Sequence, residues 1–173
     1  FSSAQNEYPG LLELVEKTLP EQCTLVPDSN DQLTSDHGFD LHKTGDQLIP
    51  ILRELKQMGV RVSLFMDPDI EQIRMAKQIG ADRIELYTGP FSAAFAHSEA
   101  AGKLVFEQHC AAAEIAQEIG LGINAGHDLN LENMIMYKHL PGLQEVSIGH
   151  ALTADALKMG FDRAVAEYLK VCN

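Results

Sequence analysis

The sequence predicts an α/β fold built on parallel strands, and three observations predict it. Five short apolar runs alternate with segments of helical periodicity along the 173 residues. No G-x-G-x-x-G or Walker A pattern follows any run, which weakens an open nucleotide-binding sheet and leaves a (β/α)8 barrel as the other choice. Polar, titratable and glycine residues gather just after the runs, where parallel α/β folds place their chemistry.

The strand candidates are Cys23-Thr24-Leu25-Val26, Val60 to Met66, Arg83 to Tyr87, Leu121 to Asn124 and Glu145 to Ile148. Each is short, aliphatic or β-branched, and followed by a turn signal. Between them, Leu48, Ile51, Leu52 and Leu55 recur at helical spacing and Gly59 stops them. Pro50 belongs in a first helical turn, so this helix is expected to begin no earlier than about Asp46. Asp67-Pro68 is expected to cap the next helix, with Ile70, Ile73, Ala76 and Ile79 on its buried face and Gly80 closing it. Leu104, Ala111, Ile115 and Ile119 form a further stripe closed by Gly120. Asn130 to Tyr137 reads as a shorter helix, Ala151 to Lys158 as another ended by Gly160, and Val165 and Leu169 mark the last.

Five units leave a barrel three short, with two unpaired strand edges and half an apolar lumen. A barrel reading therefore implies that the gene product continues N-terminally or that another chain fills the gap. The start, Phe1-Ser2-Ser3, reads as if cut from something longer.

The formal net charge of −12 disfavours non-specific binding to nucleic acid, which demands Lys and Arg, but leaves room for small phosphates held by backbone N–H groups. Cys23, Cys110 and Cys172 are odd in number and far apart, as expected of free thiols in a reducing compartment. No apolar run approaches a membrane span and no signal peptide is expected, so the cytoplasm is the expected location.

Glu85 stands inside an apolar run, between Ile84 and Leu86. Strand side chains alternate faces, so Glu85 is expected to point into the lumen, as a catalytic carboxylate or one half of a structural ion pair. His127 follows Gly126 in Asn124-Ala125-Gly126-His127-Asp128 and can serve as both acid and base near neutral pH. The alternative is a loop histidine bonded locally. Gly149-His150 precedes a short helix after the last strand, a recurring phosphate site in barrels. Thr34-Ser35-Asp36-His37-Gly38 is a polar loop that can also be a plain surface turn. His42, His97, His109 and His139 show no metal-ligand spacing and are expected to be surface or structural.

Taken in order, Leu25-Val26-Pro27, Leu33 to Asp40, Val62 to Phe65, Ile84-Glu85-Leu86-Tyr87-Thr88-Gly89, Asn124 to His127 and Ser147-Ile148-Gly149-His150-Ala151 resemble the pyridoxine 5'-phosphate synthases over essentially the whole chain. The resemblance implies a TIM-type (β/α)8 barrel of which this chain supplies about the last five β/α units, so that residues 1–173 form the C-terminal two-thirds of a single domain. It implies condensation of 1-deoxy-D-xylulose 5-phosphate with 3-amino-2-oxopropyl phosphate to pyridoxine 5'-phosphate, phosphate and water. It implies no metal or organic cofactor, and a homo-oligomer, commonly an octamer. By position, His127 matches the family's proton donor and Glu85 its transition-state-stabilising carboxylate. Thr34 matches a contact to the deoxyxylulose phosphate, and Gly149 and His150 the phosphate-binding pair. Asp128 occupies a substrate-contact position where some members carry glycine. The family's first three strands hold an Asn-x-Asp-His segment, an arginine and histidine phosphate clamp, a base histidine and a glutamate, none of which is present here. The chain alone is therefore expected to be inactive or nearly so. Two competing readings are another phosphate-binding barrel isomerase or aldolase, and a non-enzymatic oligomeric scaffold. The strand candidates carry no lysine for the first of these.

Overall fold

The computed structural model describes residues 9–29 and 32–173, so the reading of the Phe1-Ser2-Ser3 start lies outside the described residues. The element order is α1 (Leu11–Thr18), β1 (Gln22–Leu25), α2 (Leu41–Gln57), β2 (Arg61–Met66), α3 (Ile70–Gln78), β3 (Arg83–Tyr87), α4 (Gly89–His97), α5 (Glu99–Glu118), β4 (Gly122–Gly126), α6 (Met134–Tyr137), β5 (Leu143–Ser147), α7 (His150–Met159) and α8 (Phe161–Cys172). The five strands are parallel and lie in chain order, β1 through β5. A doubly wound sheet reverses strand order at a switch point, and this sheet does not.

Alternation along the strands divides the molecule into two layers. Leu25, Val62, Leu64, Met66, Ile84, Leu86, Ile123 and Ala125 are buried on one face. They share a core with Leu52, Leu55, Ile73, Ala76, Ala112, Ala113 and Ala116 from α2, α3 and α5. Each fully buried aliphatic side chain contributes about 1.5–3 kcal/mol, so this layer holds the fold. The opposite face carries Gln22, Thr24, Arg61, Ser63, Phe65, Arg83, Glu85, Tyr87, Asn124, Glu145 and Ser147, a mainly polar set.

That polar face is concave. Gln22 Nε2 on β1 donates to Glu145 Oε2 on β5 at 3.3 Å, although three strands separate them. Parallel side chains on a flat sheet would not meet across about 19 Å. Eight closed strands at ordinary spacing and tilt enclose a circle about 15 Å across, and side chains on opposite strands then point at each other. Around the Gln22–Glu145 bond, Arg61 and Arg83 reach Glu145 Oε1 at 3.0 and 2.7 Å, and Arg83 also reaches Asn124 Oδ1 at 2.8 Å. Gln22, Arg61 and Arg83 open their strands and Asn124 and Glu145 stand at the middle of theirs, short of the ends that carry the chemistry.

Several expected details are corrected. The α2 helix begins at Leu41, not near Asp46, and Pro50 sits inside it. Proline removes one N–H, and the carbonyl it would have served belongs to exposed Asp46, where water can replace it. Burial of Leu41, Gly45 and Leu48 and the 2.7 Å bond from Leu41 N to Gln72 Oε1 hold the preceding turns. The cap of α3 is Asp69, whose carboxylate accepts from Glu71 N and Gln72 N. Asp67 instead accepts from Gly38 N at 3.1 Å.

The buried face of α5 is Gly102, His109, Ala112, Ala113 and Ala116, whereas Leu104 is 66% exposed. Small residues face inward because α4 and α3 both pack against α5. On α8, Ala164 and Tyr168 are buried and Leu169 is exposed. His109 is a core residue whose Nδ1 lies 2.8 Å from the Tyr137 hydroxyl, and burial pushes its pKa down to about 4. The three cysteines are free, and no helix among the described residues is long and apolar enough to cross a membrane.

Candidate active site

The β3, β4 and β5 strands deliver the site, and a long connection after β1 folds over it. A cleft of about 510 Å3 opens at their C-terminal ends. Thr34, Glu85, His127, Asp128, Gly149 and His150 all line it, joined by Val26, Ser35, Phe65, Ser147 and Ile148. The six site residues expected from the sequence thus come together in one cavity, although they span more than a hundred positions of the chain.

The Thr34 loop is fixed at its base by Gly38. A Cβ at Gly38 would lie 2.1 Å from Asp67 N and 2.5 Å from the Met66 carbonyl carbon, so the loop backbone presses directly on the end of β2. Phe39 N donates to Phe65 O at 2.9 Å, adding a second tie to the same strand end. From that base the loop carries Thr34 Oγ1 to within 2.8 Å of His127 Nε2.

The turn after β4 is the most constrained backbone of the site. His127 and Asp128 have φ of 89° and 57°, in the left-handed region that non-glycine residues rarely adopt. Three side chains hold this turn. Thr88 Oγ1 donates to Gly126 O at 2.7 Å and also contacts His127 O. Ser92 Oγ and Asn133 Nδ2 donate to Asp128 O at 2.9 and 3.1 Å. Asn133 is itself buried, with its Oδ1 accepting from Asn130 N at 2.8 Å. The His127 imidazole stands edge-on to Tyr87, with ring centroids 5.3 Å apart. Its Nδ1 is buried without a hydrogen bond among the described residues, and Asp128 Oδ2 lies 3.1 Å away but out of line.

Glu85 is 8% exposed. Gly126 makes room for it, since a Cβ there would fall 2.3 Å from Glu85 Oε1. Burial pushes the Glu85 carboxyl above its usual range, hydrogen bonds from Ser147 and Thr24 pull it part of the way back, and the Glu145 charge adds to the rise. A raised folded-state pKa favours folding most below the unfolded value and loses that advantage as pH rises through the folded value. The Glu85→Gln variant is therefore expected to melt higher than the parent at pH 7. The gap should narrow as the pH falls toward the ordinary carboxylate range, as read from paired thermal melts; a gap constant with pH would contradict the titration.

Gly149 caps α7 with no side-chain bond to its N-terminus, and His150 is the first helical residue. The first N–H groups of a helix have no intrahelical partner, and the dipole favours an anion there. This helix start faces both the main cleft and a neighbouring cavity of about 390 Å3, lined by Gly89, Ser92, Asp128, Asn130, His150 and Ala151 among others. Neither lining includes lysine or arginine, so an anion held from this chain would rest on backbone N–H groups and His150.

The supporting residues Thr24, Thr88, Ser92, Asn133 and Ser147 had no assigned role in the sequence reading. Thr88 carried a signal, a hydroxyl residue between a strand and a Gly-Pro helix start. Ser92 and Asn133 carried none, because their partners are carbonyls tens of residues away or in a separate turn.

A family model described as "Pyridoxal phosphate biosynthesis protein PdxJ" matches residues 4–173. A pyridoxine 5'-phosphate synthase of Rhizobium meliloti (strain 1021) is 49% identical over 166 residues, covering 94% of this chain and 66% of the relative. One from Xanthomonas axonopodis pv. citri (strain 306) is 48% identical over 172 residues, covering 99% and 67%. One from Brucella abortus (strain S19) is 51% identical over 161 residues, covering 92% and 65%. The chain spans about two thirds of the length of these relatives.

Proposed function

The chain belongs to the PdxJ family, and on that premise we propose that its cleft is part of a pyridoxine 5'-phosphate synthase site. The reaction proposed joins 1-deoxy-D-xylulose 5-phosphate to 3-amino-2-oxopropyl phosphate, releasing phosphate and water. The observation that carries the reading is the convergence of Thr34, Glu85, His127, Asp128, Gly149 and His150 on one cleft at the strand ends.

Ring formation from an amine and two carbonyl compounds runs through imine formation, enolisation, loss of phosphate and loss of water. Every step moves a proton, which is work for a positioned imidazole. His127 serves as the proton donor. Glu85 lies in the cleft wall, where its carboxylate stabilises cationic character as the imine forms. Thr34 contacts the deoxyxylulose phosphate, and Asp128 occupies a position that meets substrate through its backbone. Gly149, His150 and the start of α7 hold a phosphate.

The curvature of the sheet supports closure into a (β/α)8 barrel by three further units, which bring the phosphate clamp and the base histidine. A homo-octamer acting in the cytoplasm completes the proposal. The test mixes the chain with both substrates, alone and together with the three-unit segment of the Rhizobium meliloti relative, and follows product absorbance. Product is expected only when the segment is present. Assembly confirmed by circular dichroism with no product would overturn the synthase reading, and full turnover by the chain alone would overturn the need for the segment.

A further inference from the structure

We propose that Asp128 is a positioning residue that fixes the tautomer of His127, keeping the proton on Nδ1 and leaving Nε2 bare toward Thr34 and the cleft. The inference deepens the reading of His127 as the proton donor and rests on it: Nε2 takes up a substrate proton in one step and is the atom that donates it in a later one.

A neutral imidazole donates from one nitrogen and accepts at the other, and the partner of each nitrogen decides which. At Nε2 the partner is the Thr34 hydroxyl, 2.8 Å away. A hydroxyl both donates and accepts, so this contact leaves the choice open. The decision falls to Nδ1. That atom is buried, and the neighbouring acceptor is Asp128 Oδ2 at 3.1 Å. An ionised carboxylate only accepts. It repels a bare nitrogen lone pair and attracts an N–H. The distance already suits a hydrogen bond and only the alignment is missing. The Asp128 side chain is 48% exposed.

Consecutive residues in an extended strand point to opposite faces, so Asp128 would ordinarily be turned away from the His127 ring. The positive φ of both residues brings the two side chains together. Aspartate tolerates this region better than most residues, but histidine at 89° gains nothing from it locally. Donors from Thr88, Ser92 and Asn133 on the carbonyls of Gly126, His127 and Asp128 hold the turn. Glycine at position 128 would take the same backbone without strain, but it would leave Nδ1 with no carboxylate.

The chemical consequence is that His127 takes up and returns its proton at a single atom. With Nδ1–H already present, a proton leaving the substrate arrives on Nε2, and its bonding electron pair stays with the substrate. The imidazolium so formed is stabilised by the carboxylate beside Nδ1. The proton then leaves from the same Nε2, which is the atom that faces the cleft.

The test reads the tautomer directly, by long-range 1H–15N NMR of the histidine-labelled chain at pH of about 8.5, above the ordinary histidine pKa. A His127→Asn variant identifies the resonance. The parent is expected to show Nδ1–H, and Asp128→Asn to keep it, because the amide oxygen still accepts. Asp128→Gly is expected to move the tautomer ratio toward Nε2–H by about tenfold. A purely conformational role for Asp128 predicts no change in Asp128→Gly, since glycine suits the backbone better. That outcome, or Nε2–H in the parent, would overturn the proposal. The readout needs no substrate, so it stands apart from the synthase reading, whose own failure would appear as absent product beside an unchanged tautomer.

Discussion

Replacing His127 with glutamine is expected to lower pyridoxine 5'-phosphate formation by about 10²–10⁴-fold, the usual loss when a positioned acid–base group is removed. The rate is the initial velocity with both phosphorylated substrates, on the chain supplemented by the three-unit segment. Glutamine can still meet the Thr34 hydroxyl, so the 2.8 Å contact across the cleft has a replacement. What glutamine cannot do is carry a proton. The loss should therefore fall on kcat, with KM for either substrate changed much less. A variant that kept more than about a tenth of the parental rate would remove His127 from the proton-transfer role.

The second large effect is expected at Gly38, which is not part of the cleft lining. The Gly38→Ala variant places a methyl group 2.1 Å from Asp67 N and 2.6 Å from Met66 Cα, both backbone atoms that cannot swing aside. The loop must lift off the end of β2, which weakens the bonds from Gly38 N to Asp67 and from Phe39 N to Phe65 O. Overpacking of this kind costs about 1–3 kcal/mol, to be read as a lower urea midpoint at unchanged slope. The same lift carries Thr34 away from His127. A displacement of about 1 Å at a catalytic contact can cost about 10²-fold in rate. Stability and turnover should thus fall together, and loss of either without the other would separate the loop's anchoring from the site's geometry.

The strands were legible because each is a short aliphatic or β-branched run ended by a turn signal, a local pattern that needs no knowledge of neighbours. Glu85 was legible for the same reason: one carboxylate in an aliphatic run has only one affordable direction. The helices were less legible where their buried face is made of small residues. Leu104 looked like a core position on α5 and is 66% exposed, while Ala112, Ala113 and Ala116 are fully buried. Close helix packing selects for size, which hydropathy does not register. Pro50 misplaced the start of α2 because its missing bond faces water, and exposure is a tertiary property. The positive φ of His127 was also hidden, since the donors that sustain it sit on Thr88, Ser92 and Asn133.

The contact of Gln22 and Glu145 across the concave face has a consequence for the order of assembly. Every strand pairs only with the strand next to it in the chain, so each unit can add to the one before it as the polypeptide lengthens. Glu145 arrives last, 123 residues after Gln22, 84 after Arg61 and 62 after Arg83, and its bond to Gln22 closes the longest loop in the network. Contacts that form after the rate-limiting step govern escape from the native state rather than arrival at it. The Glu145→Gln variant should accordingly unfold about fivefold faster, the equivalent of roughly 1 kcal/mol, with its refolding limb nearly superimposed on the parent in a chevron plot. A slowed refolding limb would place this latch in the nucleus instead. The residue then acts as a kinetic clasp, setting how long the curved sheet lasts once formed.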